Sequence, residues 1–548
     1  MRKHYFSGAA ILVVALSIFA GCQSKPRLPS AKQVERPNIV YILADDLGYG
    51  DVDALNPLGK IKTPHLRHFA SEGMTFTEAH SSSAIGTPSR YNILTGRYNW
   101  RSKLKSGVLS GFSKPLIEEN RLTVAQMLHD NGYRTAYVGE WNLGLDWART
   151  PGTMDTQTEM SEDESAPTNR NANAAMGIDF SKPIGHSPIT LGFDGFFGTS
   201  ASLDLPPYTY IENDRVTLQP TIRDGFLTGR DGKRTRVGPR APGFNAEDVL
   251  PTLTKRTVEY IGDAAPAARA GKPFFLFVAF PSPHTPIAPS VEWLGKSGLN
   301  FYADYVMESD ACIGEVLEAL KRNGLAKNTL VVFTSDNGCS PEADIPYLTA
   351  HGHDPSDGRR GYKADIFEGG HRVPLIVRWP ARVPRDSRNK DFVCLGDFMA
   401  TFADLLGIKL PANSAEDSLT FLPQLLGKGP GARDTLVESS LNGSFGIRQG
   451  EWKLAFCADS GGWSYPRPGR DKTNGLPRFQ LFNLVADPAE KTNVVAKHPD
   501  IVQRLGHLMR DDIVNGRSTP GEPQQNTPSD TDWPQTAWIS EFKIPLQF

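Results

Sequence analysis

The sequence contains few cysteines and no excess of charge of either sign. Five of its 548 residues are cysteine, and no two of them form a C-x-x-C pair, which argues against a zinc site. Lysine and arginine number 59 against 61 aspartate and glutamate, a formal net charge of -2. No global field therefore favours nucleic acid or an anionic membrane surface as a partner. We expect most of the four cysteines after Cys22 to be buried thiols.

Long hydrophobic runs are also scarce, and the N-terminal one resembles a targeting signal. Arg2 and Lys3 precede an apolar run over 9–20 that is too short to span a bilayer comfortably. The run ends in Ile-Phe-Ala-Gly-Cys, which resembles a bacterial lipobox. We expect a lipoprotein signal peptide over 1–22, lipidation of Cys22 and a polar tether over 23–36. The protein would then be exported and held at the periplasm or cell surface by a lipid anchor alone. The alternative is an ordinary signal peptide with an accidental cysteine.

Buried apolar runs alternate with helical patterns along most of the chain. This alternation predicts an α/β fold with a doubly wound, mostly parallel sheet, whose ligands bind beyond the carboxyl ends of the strands. The predicted strands are Asn38–Leu43, Arg134–Val138, Phe274–Phe280, Thr329–Thr334 and Val373–Arg378. A helix is predicted to begin at Thr123, capped against Gln126, and to end before Gly132, and a longer helix is predicted within 302–323.

The pattern changes near position 435. Short strands at 446–454 and 479–484 predict hairpins of a smaller α+β subdomain, so we divide the chain into a main domain over 37–434 and a C-terminal subdomain over 435–517. The acidic and polar stretch 154–173 indicates a surface insertion. The tail over 518–548 is rich in Pro, Gln, Thr and Asp as far as residue 534, so we expect it to be extended or loosely packed.

The segment Ser83–Arg97 carries the strongest motif. It consists of Ser-Ala-Ile-Gly-Thr-Pro-Ser-Arg-Tyr-Asn-Ile-Leu-Thr-Gly-Arg and resembles the sulfatase signature, cysteine or serine-x-Pro-Ser-Arg-x-x-x-Leu-Thr-Gly-Arg. The resemblance implies an alkaline-phosphatase-like sulfatase fold. In that family the first signature residue is oxidised to formylglycine, whose hydrate attacks the sulfur of a sulfate ester. Here that position is Gly86, which has no side chain to oxidise, so no formylglycine is expected. Arg90 matches the family's arginine, which steadies the nucleophile.

Two polar pairs follow predicted strands. Asp45-Asp46 follows the first strand directly, and Asp336-Asn337 follows a later one. Three carboxylates and one amide make an all-oxygen site suited to Ca²⁺ or Mg²⁺. The set also resembles the sulfatase metal site, whose usual ion is calcium.

Two further blocks resemble the family's substrate-binding elements. His284, in Pro-Ser-Pro-His-Thr-Pro, matches a histidine that contacts the sulfate or helps the leaving oxygen depart. Lys363, in Gly-Tyr-Lys-Ala-Asp, matches a lysine that binds the substrate anion. The resemblance therefore assigns substrate binding to Lys363, His284 and Arg90.

A third block departs from the family. Where the family has Gly-Lys-Trp-His-Leu-Gly, this chain has Gly-Glu-Trp-Asn-Leu-Gly over 139–144. Glu140 and Asn142 thus replace the lysine and histidine that touch the nucleophile and the sulfate. The lysine-to-glutamate change alters the local charge by two units, and each unit is worth about 4 kcal/mol at 4 Å and an effective dielectric near 20. Such a pocket would bind a sulfate ester poorly.

Several functions fit these departures. The first is a metal-containing hydrolase or lyase repurposed from a sulfatase, in which Glu140 performs acid–base chemistry on a glycan together with His284 or with water at the metal. Alternatively, Glu140 only forms an ion pair with Arg90 or Lys363 in an emptied pocket.

Three other hypotheses remain open. One is a glycan-binding pseudo-sulfatase without turnover. Another is hydrolysis of sulfate esters, if Gly86 records a modified or mutated residue. In the third, Thr87 or Ser83 replaces the nucleophile. The sequence indicates neither the sugar, nor the linkage, nor the oligomeric state.

Overall fold

The computed structural model describes Met1 and residues 36–151, 159–160, 177–228, 233–528 and 532–542. All of these except Met1 belong to one compact unit, Arg36–Phe548. The predicted signal peptide and tether therefore lie outside the described residues, apart from Met1 and Arg36, as does nearly all of the predicted insertion. Within the part of the chain that is described, no helix combines the length and the apolar character needed to cross a membrane.

As far as residue 228, the described residues contain eleven strands and three α-helices. The strands are β1 (Asn38–Ala44), β2 (Met74–Phe76), β3 (Ala79–His80), β4 (Val108–Leu109), β5 (Arg134–Glu140), β6 (Glu159–Met160), β7 (Gly195–Thr199), β8 (Ile211–Glu212), β9 (Arg215–Val216), β10 (Ile222–Asp224) and β11 (Leu227–Thr228). The helices are α1 (Pro64–Ser71), α2 (Gly86–Thr95) and α3 (Val124–Asp130).

From residue 233 onwards, the described residues contain the remaining strands and α-helices. The strands are β12 (Lys233–Arg234), β13 (Gly238–Arg240), β14 (Phe274–Ala279), β15 (Thr329–Ser335), β16 (Leu375–Arg378), β17 (Ser387–Asn389), β18 (Val393–Cys394), β19 (Thr435–Ser439), β20 (Phe445–Gln449), β21 (Trp452–Ala455) and β22 (Gln480–Asn483). The helices are α4 (Val249–Arg269), α5 (Phe301–Arg322), α6 (Ile345–Ala350), α7 (Glu368–His371), α8 (Phe398–Leu406), α9 (Leu422–Leu425) and α10 (Pro499–Val514).

A ten-stranded mixed sheet forms the centre of the fold, in the order β17-β2-β16-β15-β1-β14-β5-β7-β8-β9. Its middle five strands, from β15 to β7, run parallel, and antiparallel pairs lie towards both edges. This confirms the predicted α/β class. The predicted strands are all present, with ends that differ by one or two residues.

The sheet is covered on both faces, as the continuous apolar runs require. Alternate residues of β1 enter two different cores: Ile39, Tyr41 and Leu43 face one, and Val40 and Ile42 face the other. Residues of α3 and α8 pack in the first core, and residues of α4 and α5 pack in the second. Burial on both faces fixes the register of the central strands, because a slip of one residue would exchange the two faces.

A four-stranded antiparallel sheet, β19-β20-β21-β22, forms the smaller C-terminal part together with α10. The end of the chain packs more closely than we expected from its composition. Trp533, Trp538 and Phe542 are buried in the core of this part, and Trp538 stacks on Phe456 with 4.0 Å between ring centroids. The prediction of a loosely packed tail is therefore wrong for the described residues 532–542, because these aromatic side chains cover the small sheet.

Candidate functional site

The predicted site residues meet at the carboxyl ends of the central strands. Asp45 and Asp46 follow β1, Asp336 and Asn337 follow β15, and β5 ends at Glu140. His284 lies on the loop after β14. The backbone N–H of Asp45 donates to the carbonyl of Ser282 at 3.0 Å, which ties the loop after β1 to that after β14.

Asp46 and Asn337 form the centre of the oxygen-rich cluster. The Asn337 amide nitrogen donates to Asp46 Oδ1 at 2.8 Å, and the backbone N–H of Asp46 donates to Asp336 Oδ1 at 3.2 Å. Asn337 Oδ1 is buried and accepts no hydrogen bond. Side-chain oxygens of Asp45 and Asp46 and a ring nitrogen of His284 lie within 4.8 Å of one another.

Arg90 holds three carboxylates together. Its guanidinium lies 2.7 Å from Asp45 Oδ2, 3.2 Å from Asp336 Oδ2 and 3.3 Å from Glu140 Oε1. It also donates to the main-chain carbonyl of Glu140 at 2.8 Å. Burial lowers the pKa of Arg90, but the three carboxylates outweigh this and raise it well above its ordinary value. Arg90 is a fixed cation that is fully engaged by protein groups.

Two cationic groups also contact Asp46. Lys363 Nζ donates to Asp46 Oδ2 at 3.0 Å, and His284 Nε2 lies 3.6 Å from the same oxygen. Burial and Lys363 lower the pKa of His284, but Asp46 and Asp45 outweigh them and raise it to about 10. His284 Nδ1 lies 2.6 Å from the Thr285 carbonyl, so it carries a hydrogen and Nε2 is the nitrogen that faces the cluster.

Asp45 and Asp336 bind protons more tightly than ordinary aspartates. Burial, followed by the charge of Glu140, raises the pKa of Asp45 to about 7. Burial, followed by the charge of Asp45, raises the pKa of Asp336 to about 7. With Asp46 and Glu140 the site holds four carboxyl groups against Arg90, Lys363 and His284. Close carboxylates of this kind favour the binding of a cation.

The cluster fits a hard divalent cation by its chemistry. Its candidate ligands are oxygens of Asp45, Asp46, Asp336 and Asn337 only, and the Asn337 Oδ1 atom is buried without a hydrogen bond. These are the predicted residues, and the fold brings all four to one point. A bound divalent ion would supply positive charge that holds and polarises a substrate oxygen.

Gly86 begins α2 and faces this cluster. A Cβ built on Gly86 would lie 2.9 Å from Asp336 Oδ2, 3.6 Å from Arg90 Nε and 3.8 Å from Asn142 Nδ2. A side chain at position 86 would therefore point at the metal-binding residues, and Asp336 would have to shift. The glycine occupies the place from which a nucleophile would act.

The neighbouring hydroxyls do not replace the missing nucleophile. Thr87 Oγ1 accepts the backbone N–H of Leu109 at 3.2 Å, and Ser83 Oγ donates to the carbonyl of Ser439 at 3.1 Å. Both residues are fully buried. Their hydroxyls hold neighbouring main chain, so the hypothesis in which Thr87 or Ser83 takes over is not supported.

Glu140 and Asn142 lie beside Arg90 and Gly86. Glu140 Oε1 contacts Arg90 and accepts a hydrogen bond from Ser202 Oγ at 3.3 Å, whereas the buried Oε2 accepts none. The ion pair with Arg90 that the sequence left open is therefore formed, but it satisfies only one carboxylate oxygen. Asn142 has φ 51°, a left-handed conformation that asparagine tolerates, and its Oδ1 is buried without a partner.

Sequence reasoning assigned no site residue to the loop after β7. Besides Ser202, this loop contains Asp204, whose Oδ2 lies 2.8 Å from an Arg236 nitrogen and whose Oδ1 accepts no hydrogen bond. The charge of Asp204 also contributes to the raised pKa of His284. The chain shows no local pattern that would place Ser202 against Glu140, because the contact depends on the pairing of β7 with β5.

A second buried cluster does not resemble a metal site once its cations are counted. Side-chain atoms of His80, Glu368 and Glu438 lie close enough together to hold an ion. However, Lys453 Nζ lies 3.1 Å from Glu368 Oε1 and 2.9 Å from Glu438 Oε2. Lys453 therefore already supplies the positive charge.

The four cysteines after Cys22 are free, and three of them are buried, as predicted.

Comparisons with known proteins find similar sequences and a similar fold. The family model described as Sulfatase matches residues 37–408. N-acetylgalactosamine-6-O-sulfatase of Bacteroides thetaiotaomicron is 32% identical over 91% of this chain and 97% of its own length. Human arylsulfatase A is 29% identical over 86% of this chain and 87% of its own length. A solved structure from work on the metabolism of multiple glycosaminoglycans by Bacteroides thetaiotaomicron is 31% identical, with a TM-score of 0.73, and covers 87% of this chain and 99% of that one.

Proposed function

Because this chain belongs to the sulfatase family, we propose that it is a metal-dependent enzyme that acts on a glycan. It cleaves a sugar linkage, and Glu140 acts as a base in place of the nucleophile that the family uses. The observation that carries the proposal is the state of Glu140 at a site where Gly86 offers no nucleophile. Its Oε1 is held by Arg90 and Ser202, but the buried Oε2 accepts no hydrogen bond. Because Arg90 and Ser202 hold only Oε1, Oε2 is the oxygen left to accept a proton.

The residues present support acid–base chemistry on a glycosidic bond. Water attacks the anomeric carbon while Glu140 accepts its proton, the bond to the leaving oxygen breaks, and His284 Nε2 gives a proton to that oxygen. The hydrogen bond from His284 Nδ1 to the Thr285 carbonyl leaves Nε2 as the nitrogen that makes this transfer. The proton then returns from Glu140 to His284 through solvent. The alternative reaction is an elimination, in which Glu140 takes a carbon-bound proton and no water is added. Its products together are lighter by one water than the products of hydrolysis.

The choice of a glycan follows from the relatives. The bacterial relative that aligns over 91% of this chain is described as an N-acetylgalactosamine-6-O-sulfatase. Sulfated glycosaminoglycan fragments and their unsulfated counterparts are therefore the first substrates to assay.

Loss of turnover in the Glu140→Gln variant tests this assignment. Glutamine keeps the size of the side chain but cannot accept a proton, so we expect glycan cleavage to fall by at least about a hundredfold. The matched control is Glu315→Gln, which alters an exposed glutamate on α5. Wild-type rates in a folded Glu140→Gln variant would contradict the assignment, and glycan binding without turnover by the wild type would favour the pseudo-sulfatase hypothesis.

Sulfate ester hydrolysis is the second candidate, and the direction of the Gly86 Cβ position favours it. A cysteine or serine at position 86 would face Asp336, Arg90 and Asn142. If the natural residue is a modified or substituted one, the metal-binding residues, Lys363 and His284 are still in place. Mass analysis of the natively expressed protein decides whether position 86 is glycine.

We further propose that the bound ion is calcium and that the protein is an exported lipoprotein anchored through Cys22. The calcium proposal is supported by the all-oxygen donor set, and the anchor by the sequence around Cys22. Radioactive palmitate should label the full-length chain expressed in a bacterial host, and Cys22→Ala should abolish the label. Labelling of the Cys22→Ala chain would contradict the anchor.

A further inference from the structure

Four buried polar atoms, one of which belongs to Glu140, have no hydrogen-bond partner. They are Glu140 Oε2, Asn142 Oδ1, Ser200 Oγ and Asp204 Oδ1. Each of these residues is at most 7% exposed. An unpaired buried polar atom destabilises a protein by about 1–3 kcal/mol. These four lie on two neighbouring segments, where one ligand with several hydroxyl groups could satisfy them together.

The two chain segments that carry these atoms are held together. The backbone N–H of Asn142 donates to the carbonyl of Ser200 at 3.1 Å, and Ser202 Oγ donates to Glu140 Oε1 at 3.3 Å. Asn142 also lies beside Gly86, since its amide nitrogen is 3.8 Å from a Cβ built there. We call the group formed by Glu140, Asn142, Ser200 and Asp204 the acceptor cluster.

The acceptor cluster selects hydrogen-bond donors. Ionised carboxylates and the amide oxygen only accept hydrogen bonds, and a serine hydroxyl can do either. Three of the four unpaired atoms are therefore acceptors. A sulfate oxygen is itself an acceptor, so it would face the carboxylates of Glu140 and Asp204 and could receive hydrogen bonds in the cluster only from the Asn142 amide nitrogen and the Ser200 hydroxyl.

The cations near the acceptor cluster are already engaged by carboxylates. The Glu140 carboxylate is paired with Arg90, and the Asp204 carboxylate is paired with Arg236. Two further cations of the site, Lys363 and His284, both face Asp46. Arg90 is also shared with Asp45 and Asp336, so none of these four cations is left to hold a sulfate group, whereas hydroxyl groups need no cation.

We propose that the acceptor cluster is a subsite for the hydroxyl groups of an unsulfated sugar unit. This inference rests on the proposed function, because it names the substrate group that the same site receives. The sugar unit bound beside Gly86 donates its hydroxyl hydrogens to Glu140, Asn142 and Asp204. A sulfate group on that unit weakens binding, through charge repulsion by Glu140 and Asp204 and because acceptors outnumber donors in the cluster.

Binding to matched glycans tests the subsite independently of turnover. An array of oligosaccharide pairs is probed at low temperature with the calcium-loaded full-length protein. Each pair consists of an unsulfated oligosaccharide and its 6-O-sulfated counterpart. Calorimetry on the best pair then gives the affinities. We expect the unsulfated member to bind at least about ten times more tightly. Equal or tighter binding of the sulfated member, or no binding to any pair, overturns the proposal.

Two small substitutions separate the subsite from a structural role. Asn142→Gly keeps the positive φ that the main chain requires, and Ser200→Ala removes one hydroxyl. Each should weaken binding of the unsulfated glycan about three- to tenfold without lowering the melting temperature or the affinity for calcium. The matched control is Ser187→Ala, a buried serine outside the cluster. Unchanged glycan affinity in both folded variants overturns the proposal, whereas loss of turnover alone bears only on the proposed function.

Discussion

At the scale of single residues, the cation site depends on Asn337, and Asn337→Leu tests it. Leucine has a similar size but no oxygen, so removing the unpaired Oδ1 should weaken calcium binding by at least about tenfold. Titration calorimetry with calcium and with magnesium on metal-depleted protein measures this and identifies the preferred ion. Asn413→Leu, at an exposed position, is the matched control. Unaltered calcium affinity in the Asn337→Leu protein would remove Asn337 from the site.

The surroundings of Glu140 show which features of the site the sequence could predict and which it could not. The position of Glu140 beside the nucleophile followed from the motif, and the ion pair with Arg90 was one of two alternatives. The structure adds that only one oxygen is paired and that Ser202 provides the other contact to it. Ser202 could not be found from sequence, because it reaches Glu140 only after β7 pairs with β5.

At the scale of elements, local signals predicted the central strands and the capped helix well. The observed strands end within one or two residues of those predicted from the apolar runs, because burial on both faces leaves little freedom in where a strand lies. Thr123 caps α3 as predicted, because its Oγ1 accepts the backbone N–H of Gln126 at 3.0 Å. The second half of the predicted capping box is absent, as the Gln126 side chain donates instead to Asp130 at 2.7 Å.

The cap of α3 provides a stability prediction. Thr123→Ala removes the acceptor for Gln126 and the hydroxyl that donates to the Leu191 carbonyl at 2.6 Å. The free energy of unfolding should fall by about 1–2 kcal/mol, as for other buried N-caps. Thr123→Ser keeps the hydroxyl and should lose less than half as much. Equilibrium urea unfolding measures both variants, and equal losses would show that the methyl group, not the cap, matters.

At the scale of the whole molecule, the sequence predicted a main domain and a smaller subdomain but not how buried charges join them. Lys453 of β21 lies near Glu368, which begins α7, and near Glu438 of β19. His80 of β3 lies 3.0 Å from Glu368 Oε2. These residues are far apart in sequence, and each alone looks like an ordinary surface charge. The tail was mispredicted for a related reason, since its composition concealed the few aromatic residues that pack on the small sheet.

This charge cluster makes stability depend on pH through Glu490. Burial, together with Glu368 and Glu438, raises the pKa of Glu490 to about 7 despite Lys453. The folded state then binds a proton more tightly than the unfolded state, so this residue's contribution to stability is full below about pH 4.5 and is lost as the pH rises to about 7. The slope is at most about 1.4 kcal/mol per pH unit.

Glu490→Gln should remove that slope. Glutamine can still accept the backbone N–H of Glu368, which Glu490 Oε2 accepts at 2.7 Å, but it does not titrate. Urea unfolding at a series of pH values should show wild type losing stability relative to the variant between about pH 4.5 and 7. Glu451→Gln, at an exposed turn, is the control. A difference between wild type and Glu490→Gln that stays constant with pH would contradict the assignment.

Product analysis by mass spectrometry distinguishes cleavage of a sugar linkage from hydrolysis of a sulfate ester in a single experiment. The purified, calcium-loaded protein is incubated with sulfated oligosaccharides and with their unsulfated counterparts, and both sugar fragments and free sulfate are quantified. We predict shorter glycans that retain every sulfate, released fastest from chains with an unsulfated unit, and no free sulfate. Free sulfate with an intact sugar chain would contradict the proposed function, because it would require a nucleophile that Gly86 cannot provide.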